Sequence, residues 1–163
     1  TPNRRCAICR DGWATWMDDC IQIGLNLDPE QVRVGAMGTL EAGGMRRWQE
    51  IDIAKTRNGP EAYRTMSYDN RFCPTGPLTK EQAPLAVVRE KTHTIYEFAV
   101  PWKTLTADRP PVAGECISFA CTINDRDPEE ADILVMGLFK GIYGGKDIGE
   151  YGWVVLGGPA EGK

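Results

Sequence analysis

The sequence predicts an all-β fold in which two antiparallel sheets pack as a sandwich, and three observations predict it. Short runs alternate apolar and polar residues with period two. Eighteen glycines and eleven prolines cut those runs apart. No long stretch carries the 3.6-residue rhythm of a helix. Strands with one apolar face bury it best by pairing two sheets face to face.

The clearest strand is "CIQIGLNLD": Ile21, Ile23, Leu25 and Leu27 share one face, and Cys20, Gln22, Gly24 and Asn26 the other. In "RRWQEIDIAK", Ile51 and Ile53 point one way and Trp48, Glu50 and Asp52 the other. "TIYEFAVPW" sets Tyr96, Phe98 and Val100 on one face before Pro101 ends the ladder. A helical turn is expected at Trp102 to Leu105. "ECISFACTIND" places Ile117, Phe119, Cys121 and Ile123 inward, with Cys116, Ser118, Ala120 and Thr122 outward. "DILVMGLF" and "YGWVVLG" complete the set, and "FCPTGPLTKEQAP" and "TADRPPVAGE" read as loops. The 163 residues suffice for one domain, 1–163, with neither repeat nor linker.

Composition excludes several classes. Nineteen Lys and Arg stand against twenty-three Asp and Glu, a net charge of −4 with no basic block, so nucleic acid is not an expected partner. The longest apolar run, "ILVMGLF", is far short of the ~18 residues of a membrane helix. Six cysteines lean towards an oxidising compartment, in disulfides or as thiols. Cys6 and Cys9 have CxxC spacing, but no second pair follows, which argues against zinc.

Enzymatic chemistry finds little support. The single histidine, His93, reads as a solvated hairpin residue, and the nucleophile-elbow, P-loop and dinucleotide patterns are absent. Glu50 and Asp52 stand about 7 Å apart on one strand face, a spacing that a glycosidase could use but that more often marks a solvated or ligand-binding surface. "NDRDPEEAD" offers oxygen ligands, with Asp125 and Asp127 the candidates for a structural calcium ion; no other cofactor is expected.

The tryptophans divide. Trp102 and Trp153 adjoin apolar runs and are expected in the core. Trp48 shares a polar strand face with two carboxylates, and Trp16 sits in a polar loop before Asp18 and Asp19. An indole open to solvent beside hydrogen-bonding groups suits a sugar ring, whose C–H face stacks on the π surface while its hydroxyls find polar partners. The other reading of Trp16 is a plug at the end of the sandwich.

Four segments in order resemble the family 9 carbohydrate-binding modules, within the wider group of DOMON-like sandwiches: "WMDDCIQIGLNLD", "YEFAVPWKTL", "ISFACTINDRD" and "GKDIGEYGWVVL". They cover Trp16 to Leu156. The resemblance implies a non-catalytic, secreted or cell-surface module, with an immunoglobulin-like or jelly-roll sandwich, that binds carbohydrate and tethers a parent protein to it. It places Trp16 at the first position of an aromatic clamp and Gln22 at a polar contact, with Glu50 and Asp52 near two more. The second clamp position falls at Gly145, so Tyr143 or Trp48 would have to supply the other ring. The alternative is an assembly domain without sugar binding. The family also begins with strands ahead of the tryptophan loop, and "TPNRRCAICRDG" is too short and polar to be those strands. The expectation is therefore a C-terminal part of a larger module, its sheet completed by a partner chain, a retained N-terminal segment or a dimer.

Overall fold

The computed structural model describes residues 15, 17, 19–28, 47–56, 58–106, 109–126 and 133–158. Among these, alternation becomes sheet. Seven strands, β1 (Cys20–Asn26), β2 (Trp48–Thr56), β3 (Gly59–Ser67), β4 (Gly76–Leu78), β7 (Cys116–Asp125), β8 (Leu134–Leu138) and β9 (Gly152–Val155), form one antiparallel sheet in the order β4-β3-β2-β1-β7-β8. On the edge away from β1 the long β7 serves two neighbours: Cys121 to Asp125 pair with β8, and Cys116 to Phe119 with β9. A second sheet is the hairpin β5 (Leu85–Arg89) and β6 (Thr94–Phe98), and a single helical turn, α1 (Trp102–Leu105), follows where the sequence predicts it. The architecture is a β-sandwich with unequal layers.

Register fixes which residues share a face. Ile21 stands opposite Ile53 on one side and Ile123 on the other, and Ile23 opposite Ile51 and Cys121. These rows make the apolar face. The main core joins Ile23, Ile51, Ile53, Ala62 and Ile117 to Ala83 and Leu105, with Leu85, Tyr96 and Val100 packed against it from the hairpin side.

Three strands are missing from the sequence reading, each for a physical reason: the three-residue β4 lies inside the stretch read as a loop, and with Pro77 at its centre it is too short to show alternation. In β3, Ala62 and Arg64 are buried, and the Arg64 guanidinium breaks the apolar rhythm. Its nitrogens donate to Gln49 Oε1 (2.9 Å) and to the carbonyls of Pro74 (3.1 Å) and Thr104. Carbonyl and amide acceptors thus allow a buried cation to occupy a core position. β5 carries "LAVVR", whose apolar residues show no alternation.

Trp102 and Trp153, expected in the core, are exposed, because β9 lies at the sheet margin and Trp102 opens α1 on the outside. His93 is exposed in the hairpin turn, with Nε2 at 3.3 Å from Glu90. Cys20, Cys73, Cys116 and Cys121 are in no disulfide; Cys6 and Cys9 lie outside the described residues. Among the described residues no helix is long and apolar enough to cross a membrane.

Candidate functional site

The other face of the main sheet holds the polar halves of β1, β2 and β7, and it too is covered. Residues 139–151 cross it as a loop. Asp147 N–H donates to the Gly141 carbonyl (3.0 Å) and closes it; a 3-10 turn, Ile148–Glu150, is capped by Asp147, whose Oδ1 accepts from Gly149 N–H at 2.9 Å. Ile142, Ile148 and Tyr151 from this loop pack with Trp48 and Ala120 as a second core. The fit depends on Gly24, where a Cβ would lie 2.2 Å from Tyr151 Oη.

Beneath the loop a polar network runs across four strands, while Asn26 Nδ2 and Ser118 Oγ, buried on the same face, have no hydrogen-bond partner among the described residues. Asn124 Nδ2 on β7 donates to Gln22 Oε1 on β1 (3.2 Å). Gln22 Nε2 donates to Glu50 Oε1 (3.1 Å) and Asp52 Oδ1 (3.3 Å) on β2. Thr65 of β3 donates to Asp52 Oδ1 (3.3 Å), and Thr15 to Asp52 Oδ2 (3.0 Å). Lys146 Nζ, from the loop, reaches both Glu50 oxygens at 2.6 and 2.7 Å.

Electrostatics follow from burial. Desolvation raises the Glu50 pKa, opposed by the Lys146 charge and hydrogen bond. It raises that of Asp52 as well, opposed first by the Thr15 and Gln22 hydrogen bonds. Lys146 is the cation that makes burying Glu50 tolerable, since removing either partner strands the other.

The structure therefore brings Gln22, Glu50 and Asp52 together, as alternation implies, but overturns the expectation that they line an open surface. All three are buried, and Trp48 with them. The Trp48 ring is a core element whose Nε1 donates to Tyr151 Oη at 3.3 Å. Tyr143 is 68% exposed on the covering loop, three residues before Lys146. Gly145, at the expected second clamp position, has φ +146°, a backbone that disfavours any aromatic residue there. Lys146 was not among the sequence candidates; "GGKD" gives no sign of what its ammonium faces. Trp16 and Asp127 lie outside the described residues, and Asp125 is exposed at the end of β7. Among the described residues no cluster of three His, Cys, Asp or Glu is arranged to hold a metal ion.

With this geometry in place, the chain can be set beside known proteins. It is similar in structure to a carbohydrate-binding module of family 9 from Caldicellulosiruptor kristjanssonii, solved in complex with glucose. The TM-score is 0.53 and the identity 12%, over 98% of this chain and 69% of that one. The likeness is one of fold. No family model matches the sequence, and no curated protein does.

Proposed function

We propose that this protein is a non-catalytic carbohydrate-binding module, extracellular or at a cell surface, that tethers a parent protein to glycan. The observation that carries the proposal is the mouth of the polar layer. Lys146 has three N–H donors, and Glu50 takes two directions of them, fixing the side chain at the loop surface with part of it still open. Tyr143 stands exposed on the same loop. A fixed donor and an open aromatic ring on one loop are the two groups that a pyranose uses, hydroxyl to donor and C–H face to π surface.

In this reading Gln22, Glu50 and Asp52 do not touch sugar in the closed arrangement. They hold Lys146 in place. Trp16, next in the chain to the Thr15 that bonds Asp52, is proposed as the second ring on the strength of the family resemblance. The glucose complex of the structural neighbour supports the choice of ligand class.

Isothermal titration against a panel of mono- and oligosaccharides tests the proposal. Wild-type protein should bind at least one, and Tyr143→Ala should weaken that binding by about thirty-fold, the scale of a roughly 2 kcal/mol hot-spot truncation, with an unchanged melt. Trp16→Ala should do the same. Absence of binding across the panel, or full affinity in both variants, refutes it.

A further inference from the structure

Among the described residues the apolar face of the main sheet is only half covered, and the register rows measure where that cover ends. Along the row Ile53–Ile21–Ile123–Met136, from β2 through β1 and β7 to β8, exposure is 1% at Ile53, 41% at Ile123 and 50% at Met136. The row Ile51–Ile23–Cys121–Leu138 ends likewise at 57% on Leu138. Leu134, Phe139 and Val154 extend the same bare surface; Phe139 lies against Gly152, whose pairing partner Phe119 is on this face. The hairpin explains the asymmetry. β5 lies against β3, and Leu85 and Tyr96 pack on the core that takes in Ile117 near the start of β7, so among the described residues the cover from the second sheet stops short of Ile123 and β8.

We infer that this bare half-face is the interface of a homodimer, in which two copies close over each other around a two-fold axis. The shape supports a second copy as the occupant. Each molecule is a step: a covered half one sheet thicker, and a bare half beside it. Sheets pack about 10 Å apart, so the hairpin of one copy is a shoulder as high as the sheet that the other copy lays on the bare half. Two such steps related by a two-fold fit together, the bare halves meeting in the middle and the hairpins flanking them. An isologous contact also requires the patch to tolerate itself. Ile123, Leu134, Met136, Leu138, Phe139 and Val154 carry no charge that a two-fold would set against its own copy, and the charge on the same face, Asp125 opposite Leu134, lies at the end of β7, on the margin of the patch. Six large side chains about half uncovered expose on the order of 500 Å² per copy. Doubled, with the shoulders added, that reaches the lower range of specific interfaces. Left open, the patch of one copy matches the largest single apolar patch of a typical monomer, about 300–600 Å², a size that is often functional.

Light scattering on a size-exclusion column, from about 1 to about 100 μM, tests the inference. The wild type should run at twice its 18.1 kDa chain mass at the upper end and dissociate on dilution. Met136→Lys with Leu138→Lys should run at the single-chain mass throughout, with an unchanged strand spectrum. A wild type that is monomeric over the whole range, or a doubly charged variant that still dimerises, overturns it. If the variant fails to fold, the wild type decides alone. Cys121 lies on this face, so its alkylation by iodoacetamide, read by peptide mass spectrometry, should accelerate several-fold as the protein is diluted. A concentration-independent rate overturns the inference. Sugar binding is no part of either readout, so the dimer and the glycan proposal stand or fall separately.

Discussion

Lys146 shows how much one residue can decide. Glu50 is almost fully buried, and its two oxygens face one ammonium and one amide. Without Lys146 the carboxylate would have to be protonated or to remain as an uncompensated buried charge, so Lys146→Ala should destabilise the protein by about 3 kcal/mol. Chemical denaturation checks this at neutral pH, and the double variant Lys146→Met with Glu50→Gln should recover much of the loss, because it removes both charges. Trp48 carries the same lesson for aromatics. Its neighbours in sequence, Gln49 and Glu50, suggest an outward ring, yet it is the largest side chain of the second core. Trp153, whose surroundings are apolar, is exposed. Local sequence reports the partners along a strand, and a ring's burial depends on what crosses above it.

At the scale of elements, the loop 139–151 and strand β1 are matched by a glycine. Gly24 and Ala120 are cross-strand neighbours, and their small side chains leave the depression that Tyr151 fills. Gly24→Ala should therefore cost about 1–3 kcal/mol by overpacking, a larger effect than propensity predicts for a strand, where alanine is normally no worse than glycine. Pairing it with Tyr151→Phe should recover little of that loss in thermal melts, because the ring carbons Cζ and Cε2 would still lie 2.4 and 2.6 Å from the new Cβ. The strands themselves show what alternation can reveal. β1, β2 and β7 are legible because each face has one chemistry. β3 is not, because Arg64 sits where an apolar residue would signal the core, and its acceptors on Gln49, Pro74 and Thr104 are far from it in sequence or on other elements.

Across the whole molecule, the buried carboxylates set a pH dependence of stability. Both Glu50 and Asp52 have folded-state pKa values raised by desolvation. A carboxyl raised in this way binds its proton more readily folded than unfolded, so its penalty is full above the folded pKa and is relieved as pH falls through that value towards the unfolded one. The contribution thus runs against ordinary acid denaturation. Asp52→Asn removes the Asp52 share, and its stability relative to wild type should be greatest near pH 7 and should decline as pH drops to about 4. Denaturant titrations at a series of pH values measure the difference; a gap that widens in acid would show that Asp52 is held ionised instead.

Period two in β1, β2 and β7 by itself determined that this chain makes a sandwich and that Gln22, Glu50 and Asp52 share a face. That much is local, since side chains two apart on a strand must point the same way. Whether that face meets solvent or protein is not local. It was decided when a loop about a hundred residues away laid Lys146 over Glu50 and Tyr151 into the space above Gly24. Tertiary structure also decided how far the second sheet reaches. The alternation of β7 is the same along its length, but the hairpin covers only one side of the sheet, and Ile117 is buried while Ile123 is not. Periodicity names the faces; only the elements packed on them determine which parts are covered.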